Sequence, residues 1–301
     1  GCSFVGSTAR RQPKSNDNAR TPDIAPVRVL VADDNRTNQM VLETILANAG
    51  HEVTVVEDGE KALEELETGT FEIVFLDVNM PIMGGIECCR LWRQIEGPRK
   101  HIPIIGLTAD STEETEKKCL DAGMDLRMTK PIEAGELIEV IASQTASRAT
   151  TPADEIDTDP MGVVSNLDSK LRRPEPPAVD PTQLDYLLSI GDEAFVQSII
   201  EAYLEDTSEI LVAFRKSVDD ESVDDFRFHA HAFKSGASNV GASYLVETCS
   251  KLEVITEREF MERRHEYLTK IEQQVTDIRA YLETRLASSN DHAPTEKTAQ
   301  I

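Results

Sequence analysis

The sequence predicts two domains of different class: an α/β domain with a five-stranded parallel sheet, followed by an all-α domain built as a four-helix bundle. Three observations predict this division. Short apolar strand candidates alternate with helical patterns from Val27 to about Ser143. Residues 145–178 then change to Thr, Asp, Ser and five prolines, a composition typical of a linker. Beyond Pro181 only helical periodicity is found.

The first domain contains five strand candidates, and helical patterns separate them. Strands alternating with helices favour a parallel, doubly wound sheet that is covered by helices on both faces. The helical pattern after the first strand has apolar residues at three- and four-residue spacing and is closed by Gly50. The strand candidates are Val27–Ala32, Glu52–Val56, Phe71–Leu76, Ile102–Leu107 and Leu126–Thr129.

Two long amphipathic patterns, in which apolar residues recur every three or four positions, characterise the second domain. A further helix carries His231, and another helical segment follows it. Four such helices predict an antiparallel bundle over residues 180–287. The long patterns run over Val196–Phe214 and Leu268–Leu282, and the shorter segment is Leu245–Ile255.

Composition excludes several function classes. With 55 acidic and 31 basic residues the net charge is −24, which argues against direct contact with nucleic acid. No apolar run is long enough to cross a bilayer, so we expect no membrane contact by this segment and a cytoplasmic location. Five cysteines without a CxxC pair are typical of reduced cytosolic thiols.

Both ends of the chain are polar. Residues 1–25 show no apolar period and predict a disordered lead-in, while residues 288–301 predict a disordered tail. The first residues, Gly-Cys-Ser-Phe-Val-Gly, resemble the closing strand of a histidine-kinase ATPase domain. The lead-in is therefore interpreted as a remnant of an upstream kinase domain.

Five polar residues stand at the ends of predicted strands: Asp33 and Asp34 after the first, Asp77 after the third, Thr108 after the fourth and Lys130 after the fifth. Because the carboxyl ends of parallel strands meet at one edge, we expect these side chains to converge. Three carboxylates repel one another unless a cation lies among them, and oxygen ligands favour Mg²⁺. The pattern predicts Asp77 as a nucleophile toward phosphorus, with Mg²⁺ and Lys130 neutralising the phosphoryl oxygens. Thr108 would donate a hydrogen bond to the modified group.

Residues 26–144 are similar to a response-regulator receiver domain. The motifs are Asp33-Asp34-Asn35-x-x-Asn38, Asp77-Val-Asn79-Met-Pro-x-Met-Gly-Gly, Leu107-Thr108-Ala109 and Lys130-Pro131. The first motif has the form found in receivers attached to hybrid sensor kinases. The resemblance implies a flavodoxin-like fold, Asp77 as the phosphoacceptor, and a Mg²⁺ ion held by Asp33, Asp34, Asp77 and the backbone carbonyl of Asn79.

Two neighbouring enzyme classes fit less well. A dinucleotide site needs Gly-x-Gly-x-x-Gly after the first strand, where this chain has Asp33-Asp34-Asn35. Phosphatases of the haloacid dehalogenase type need a second acid two positions after the nucleophile, where Asn79 lacks a carboxylate. One departure from the receiver pattern is Arg127, which replaces an aromatic switch residue, so we do not expect an output surface that depends on that ring.

The second motif is His231-Ala-Phe-Lys234-Ser235-Gly236, followed five positions later by Gly-Ala. His231 and Lys234 share a helix face, and a cation beside the imidazole suits an incoming phosphoryl group. A glycine inside a helix costs up to about 1 kcal/mol, which a close approach by a receiver would explain. The string resembles the histidine-containing phosphotransfer (Hpt) domain, which more often has Gly where Ser235 stands. The resemblance implies that His231 is a phosphoacceptor.

Together the two sites predict a phosphorelay from a kinase histidine, in cis or in trans, to Asp77, then to His231, then to a downstream response regulator. This order resembles the carboxy-terminal part of a hybrid sensor histidine kinase, and it leaves open that the parent protein is anchored in the inner membrane. No P-loop or glycine-rich kinase loop is visible in the sequence, so we expect the chain to receive phosphate rather than take it from ATP. Three alternatives stay open: a module whose phosphorylation gates docking, a standalone receiver–Hpt protein acting in trans, and a hydrolytic enzyme.

Overall fold

A computed structural model describes residues 25–97, 101–109, 112–146 and 178–290. Most of the predicted lead-in (1–25), linker (145–179) and tail (288–301) therefore lies outside the described residues. At their borders two helices are longer than expected. The last helix of the first domain continues to Ala146, and the last helix of the chain continues to Asn290.

Five parallel strands form one sheet in the order β2-β1-β3-β4-β5, which confirms the predicted α/β class. The central strands are buried on both faces by helices, and this explains their continuous apolar sequence. The third and fourth strands begin two residues later than the sequence indicated, and each includes a polar residue as its last member. The strands are β1 Arg28–Ala32, β2 Glu52–Val56, β3 Ile73–Asp77, β4 Ile104–Thr108 and β5 Leu126–Thr129.

Polar side chains in the loops that follow the strands cap several of the helices. The Asn35 side chain accepts a hydrogen bond from the Asn38 backbone N–H, and Asp58 and Thr112 cap their helices in the same way. Gly50, with φ +86°, follows the first helix in a left-handed conformation that favours glycine. The helices are α1 Arg36–Asn48, α2 Gly59–Thr68, α3 Gly85–Ile95, α4 Glu113–Asp121 and α5 Ala134–Ala146.

The strand register determines which residues meet at the carboxyl edge. Ala32 of β1 lies beside Leu76 of β3, so the residues that follow them leave the sheet at the same level. Thr108 of β4 lies beside Thr129 of β5, which places the next residue of the chain, Lys130, at that level as well. The sheet topology therefore brings the predicted polar residues together at one edge.

The second domain is entirely helical in its described residues, as predicted. The two long amphipathic patterns form α7 and α10, and the histidine helix and its successor form α8 and α9. A short additional helix, α6, precedes them and was not predicted. The helices are α6 Pro181–Ile190, α7 Glu193–Asp219, α8 Val223–Asn239, α9 Ser243–Leu252 and α10 Glu257–Asn290. Within the described part of the chain, no helix has the length and apolarity needed to cross a bilayer.

The cores of the two domains have different aromatic contents. The single tryptophan of the chain, Trp92, is buried on α3 within the apolar cluster on that face of the sheet. The helical domain is centred on phenylalanines, with Phe214 stacked on Phe226 at a centroid distance of 4.4 Å and Phe233 edge-on to Phe214 at 5.6 Å. Such pairs contribute beyond their buried area.

The two domains pack against each other through α1, which contacts α6, α7 and α8. Val41, Leu42 and Ile45 on α1 belong to the same buried apolar cluster as Leu184 and Leu187 of α6. One hydrophobic core thus continues across the interface. Removal of this apolar surface from water favours the docked arrangement.

Candidate functional site

Asp33, Asp34 and Asp77 lie together at the carboxyl edge of the sheet. One carboxylate oxygen from each residue lies within 4.8 Å of the corresponding oxygens of the other two. Asp33 and Asp77 are buried, whereas Asp34 is partly exposed. A cluster of carboxylate oxygens that is accessible from one side has the donor set that hard divalent cations prefer.

Lys130 supplies the positive charge inside this cluster. Its Nζ donates a hydrogen bond to Asp33 Oδ2 at 2.7 Å and another to Asp77 Oδ2. Burial lowers the pKa of Lys130, but the attraction of Asp33 and Asp77 and their hydrogen bonds outweigh it, so the pKa lies above its usual value. The ammonium group therefore remains charged at neutral pH.

The remaining negative charge is not balanced by this lysine. Burial, together with repulsion from Asp33 and Asp77, raises the pKa of Asp34 to about 7. Burial also raises the pKa of Asp33, although Lys130 opposes the shift. Three acids with one ammonium group are costly to ionise together, and a bound divalent cation would relieve that cost. The residues present fit such an ion.

Thr108 and Asn79 border the cluster. Thr108 is buried at the end of β4, and its carbonyl accepts a hydrogen bond from the Lys130 backbone N–H at 2.8 Å. The Asn79 backbone N–H donates to Asp77 Oδ1 at 3.1 Å, which holds the loop after β3 against the carboxylate. Arg127, at the position of the usual aromatic switch residue, donates to Glu116 Oε2 of α4 at 3.4 Å.

His231 lies on α8 at the interface with the first domain. Its Nδ1 is 2.6 Å from Glu253 Oε1, and its Nε2 is 3.4 Å from Asn79 Nδ2. A carboxylate can only accept, so the hydrogen of a neutral imidazole is placed on Nδ1. The lone pair of Nε2 then accepts a hydrogen bond from the Asn79 side-chain amide, so this nitrogen faces the loop that follows Asp77.

Glu253 is a site residue that sequence reasoning missed. It is the C-cap residue of α9, and its Oε2 accepts a hydrogen bond from Lys234 Nζ at 2.6 Å. Burial raises the pKa of Glu253, but the hydrogen bonds and charges of His231 and Lys234 outweigh burial, so its pKa lies below its usual value. The carboxylate is therefore ionised and holds both partners. Lys234 is buried. Because Glu253 lies beside Nδ1 of His231, the ammonium group of Lys234 is held on that side of the imidazole ring.

Three polar side chains, which we call the Asn38 cluster, lie beside these two sites: Asn38 of α1, and Ser235 and Asn239 of α8. Asn38 Nδ2 donates to Asp33 Oδ1 and to Ser235 Oγ, both at 2.8 Å. Asn239 Nδ2 donates to Asn38 Oδ1 at 2.5 Å. The cluster thus connects the acidic edge of the sheet to the histidine helix.

The small residues of the histidine motif allow this close packing. A Cβ atom added to Gly236 would lie 3.2 Å from Asn35 Nδ2, tighter than an ordinary van der Waals contact. The glycine inside α8 is therefore explained by the approach of the first domain. At the other end of the interface, the Ala134 backbone N–H donates to Tyr186 Oη at 2.8 Å, which ties α6 to the start of α5.

Comparison with known proteins assigns both domains. Residues 29–142 match the family of the response regulator receiver domain, and residues 198–285 match the Hpt domain family. This chain is a receiver domain followed by an Hpt domain. Both resemblances predicted from the motifs are confirmed.

The relatives are sensory proteins of greater length. The chain is 27% identical over 233 residues to the sensory/regulatory protein RpfC of Xanthomonas campestris pv. campestris, covering 76% of this chain and 30% of that protein. It is 35% identical to the sensor histidine kinase GacS of Pseudomonas protegens, covering 46% of this chain and 15% of GacS. The receiver domain of the sensor histidine kinase PA1611 from Pseudomonas aeruginosa is 32% identical, with a TM-score of 0.39, and covers 41% of this chain and 100% of that domain. The chain spans less than a third of the length of RpfC and of GacS.

Proposed function

We propose that this chain is a two-step segment of a phosphorelay, in which Asp77 receives a phosphoryl group from a histidine kinase domain and passes it to His231. The observation that carries the proposal is the position of His231 Nε2, which lies 3.4 Å from Asn79 Nδ2, in the loop whose backbone is bonded to Asp77. If phosphorylation of the receiver only controlled the docking of a helical scaffold, no imidazole would need to be oriented toward the loop that follows Asp77.

The transfer step is a displacement at phosphorus. The lone pair of His231 Nε2 attacks the phosphorus of the Asp77 acyl phosphate, and a P–N bond forms. The P–O bond to Asp77 breaks, and its electron pair returns to the carboxylate. The Nδ1 hydrogen stays on the ring and bonded to Glu253, whose negative charge stabilises the positive charge that develops on the imidazole.

The charged residues have distinct roles in this proposal. Asp33, Asp34, Asp77 and the Asn79 carbonyl would hold Mg²⁺, which neutralises phosphoryl oxygens when bound. Lys130 balances Asp33 and Asp77 before phosphorylation and the phosphoryl group afterwards. Thr108 donates its hydroxyl hydrogen to the modified group. Lys234 holds Glu253 in place, and so acts on the imidazole through the carboxylate.

The relay requires one partner upstream of this segment and one partner downstream of it. The upstream partner is a histidine kinase domain, either in the same polypeptide or in trans, as in the carboxy-terminal part of a hybrid sensor histidine kinase. The downstream partner is the receiver of a separate response regulator, which takes the phosphoryl group from His231. Because acyl phosphates and phosphoramidates are both high in energy, phosphate can also return along the same path.

Labelling of the full chain with radioactive acetyl phosphate and Mg²⁺ tests the proposal. Wild-type chain should first carry base-labile label on Asp77 and then acid-labile, base-stable label on α8. Asp77→Asn should abolish both labels, and His231→Gln should leave only the first. His229→Gln, a change of the same kind two positions earlier on α8, is the matched control and should transfer normally.

A chelator should prevent labelling, because the carboxylate cluster then lacks its cation. The proposal fails if acid-labile label never appears on α8 in the wild-type chain charged in this way. It also fails if His231→Gln still passes phosphate to a downstream regulator, and the module with phosphorylation-gated docking would then be the better description.

A further inference from the structure

The Asn38 cluster fills a buried polar contact between the two domains. Asn38, Ser235 and Asn239 are each less than a tenth exposed. Asn38 uses both of its N–H hydrogens and its carbonyl oxygen, because it donates to Asp33 and Ser235 and accepts from Asn239. A buried polar contact in which every donor of the central amide is used specifies its partner, since any mismatch leaves groups unpaired.

Ser235 supplies the hydroxyl group that accepts one of the two hydrogen bonds donated by the Asn38 amide. A glycine in its place would have no hydroxyl to accept from Asn38. A receiver without an amide at the Asn38 position would leave Ser235 and Asn239 buried without that partner. Loss of such a bond weakens binding by about 5- to 100-fold.

Two polar contacts on the exposed rim of the interface discriminate less. Arg36 Nη1 and Glu205 Oε2 are 3.1 Å apart, but both side chains are more than half exposed. Asn48 Nδ2 donates to the Ile190 carbonyl at 2.6 Å on the exposed rim of α1. Solvent-exposed contacts of this kind contribute little, because water replaces them readily. The contact between Tyr186 and Ala134 uses a backbone N–H, which any residue except proline would supply, so the side-chain contacts that select a partner are those of the buried cluster.

We propose that the Asn38 cluster is the specificity-determining contact that holds the Hpt domain on its own receiver, and that a second receiver reaches His231 only after this contact opens. The His231 side chain is only 16% exposed, and α8 is in close contact with Asn35 through Gly236. There is consequently no room for a second receiver while the first is docked. The second half of the proposal rests on the relay function proposed above, and the first half does not.

A chemical modification experiment measures docking without any phosphoryl transfer. Diethyl pyrocarbonate acylates accessible imidazoles, so the rate at His231 in the full chain is proportional to the fraction of undocked molecules. His265, exposed on α10, is the internal reference in the same mass spectrum. Asn38→Ala should raise the relative rate at His231 about fivefold or more. Asn48→Ala, the same substitution at the exposed rim of α1, should raise it less than about twofold.

A second matched pair lies on α8. Ser235→Gly removes the hydroxyl that meets Asn38, whereas Ser238→Gly has the same cost in helix propensity and removes a hydroxyl that bonds within α8, to the Lys234 carbonyl. Only Ser235→Gly should raise the rate at His231. The double variant Asn38→Ala/Ser235→Gly should raise it by less than the product of the single effects, because the two residues share one contact. Equal rates for Asn38→Ala and Asn48→Ala, or fully multiplicative effects, would overturn the proposal.

A mixture of two full-length variants tests the consequence for transfer. His231→Gln chain, labelled on Asp77 and freed of acetyl phosphate, is the donor, and Asp77→Asn chain is the acceptor. Adding Asn38→Ala to the acceptor should accelerate labelling of its His231 about fivefold, because its own receiver covers the site less often while the donor keeps its Asn38. Adding Ser235→Gly to the acceptor should give no such gain, because this change also weakens the contact with the donor.

An acceptor with Asn38→Ala that is labelled no faster than its parent contradicts the proposal. If no mixture labels His231 and the wild-type chain does not label it either, the relay function fails, and the modification rates still decide whether the Asn38 cluster controls docking.

Discussion

The aspartate site and the histidine site control charge in different ways. Asp77 is almost completely buried at the end of β3, together with two further carboxylates and the ammonium group of Lys130. His231 lies on the surface of one helix, with one carboxylate and one lysine behind it. The first site has an excess of negative charge, whereas the charges behind the imidazole balance.

This difference indicates what each site needs from outside the chain. The aspartate site needs a cation, because its own lysine does not neutralise three acids. In the proposed relay the histidine site needs a docked receiver, because Nε2 of His231 points toward the loop that follows Asp77. Changes at the first site should therefore affect the chemistry itself, and changes at the second should affect how fast phosphate moves on.

Substitution of Lys130 by Met should have the largest effect on phosphorylation. It leaves Asp33 and Asp77 buried without their cation, and removing one partner of a buried ion pair costs about 3–5 kcal/mol. We expect labelling by acetyl phosphate to fall about 100-fold or more, as measured by retained radioactivity. Lys118→Met on the exposed face of α4 is the control and should label like wild type. Normal labelling of the Lys130→Met chain would contradict the idea that the charges around Asp77 control its phosphorylation.

Substitution of Glu253 by Gln should affect only the histidine site. The amide keeps the shape of the side chain but not the negative charge that stabilises the imidazole during transfer. We expect transfer from Asp77 to His231 to slow about 10- to 100-fold, with unchanged labelling of Asp77. Rapid quenching and separation of acid-labile from base-labile label measure both steps. Glu247→Gln, an exposed glutamate of α9 paired with Lys251, should leave both unchanged.

Stabilisation by Mg²⁺ should increase with pH. The pKa of Asp34 is raised to about 7, so between about pH 4 and pH 7 the metal-free folded chain binds more protons than the unfolded chain. Its stability from this group therefore falls as pH rises through that window. Mg²⁺ needs ionised ligands, so we expect its shift of the thermal midpoint to be larger near about pH 8 than near about pH 5.5. Asp34→Asn should reduce this pH dependence. An equal Mg²⁺-induced shift of the thermal midpoint at both pH values would contradict the role of Asp34 as a ligand.

Substitution of Tyr186 by Phe should have the smallest effect. It removes the hydroxyl that accepts from the Ala134 N–H at one end of the interface, and a neutral hydrogen bond contributes about 1 kcal/mol. The acylation rate at His231 should rise by no more than about fivefold, with Asp77 labelling unaffected. Tyr244→Phe on α9, outside the receiver contact, is the control. A larger effect than that of Asn38→Ala would place the main docking contact at α6 instead.

The sequence predicted the residues whose positions depend on topology alone. Asp33, Asp77 and Lys130 had to meet once the sheet was parallel, and His231 had to share a face with Lys234 once the segment was helical. Glu253 could not be predicted, because its contact with His231 depends on how α8 packs against α9 and on where α9 ends.

The contacts between the two domains could not be predicted from the sequence either. Asn38 could be recognised as part of a receiver motif, but its partner Asn239 lies 201 positions further along the chain. The helix α6 was also missed, although it supplies Tyr186 and part of the apolar contact with α1. No periodicity reveals which surfaces of two separate domains will meet.

The unequal distribution of aromatic side chains gives the molecule a built-in optical signal. Its single tryptophan is buried in the receiver domain, and all five tyrosines lie in the Hpt domain. Tryptophan emission therefore reports the receiver alone, while direct tyrosine emission reports the helices. Unfolding of each domain can therefore be followed separately in one solution, without attaching any dye.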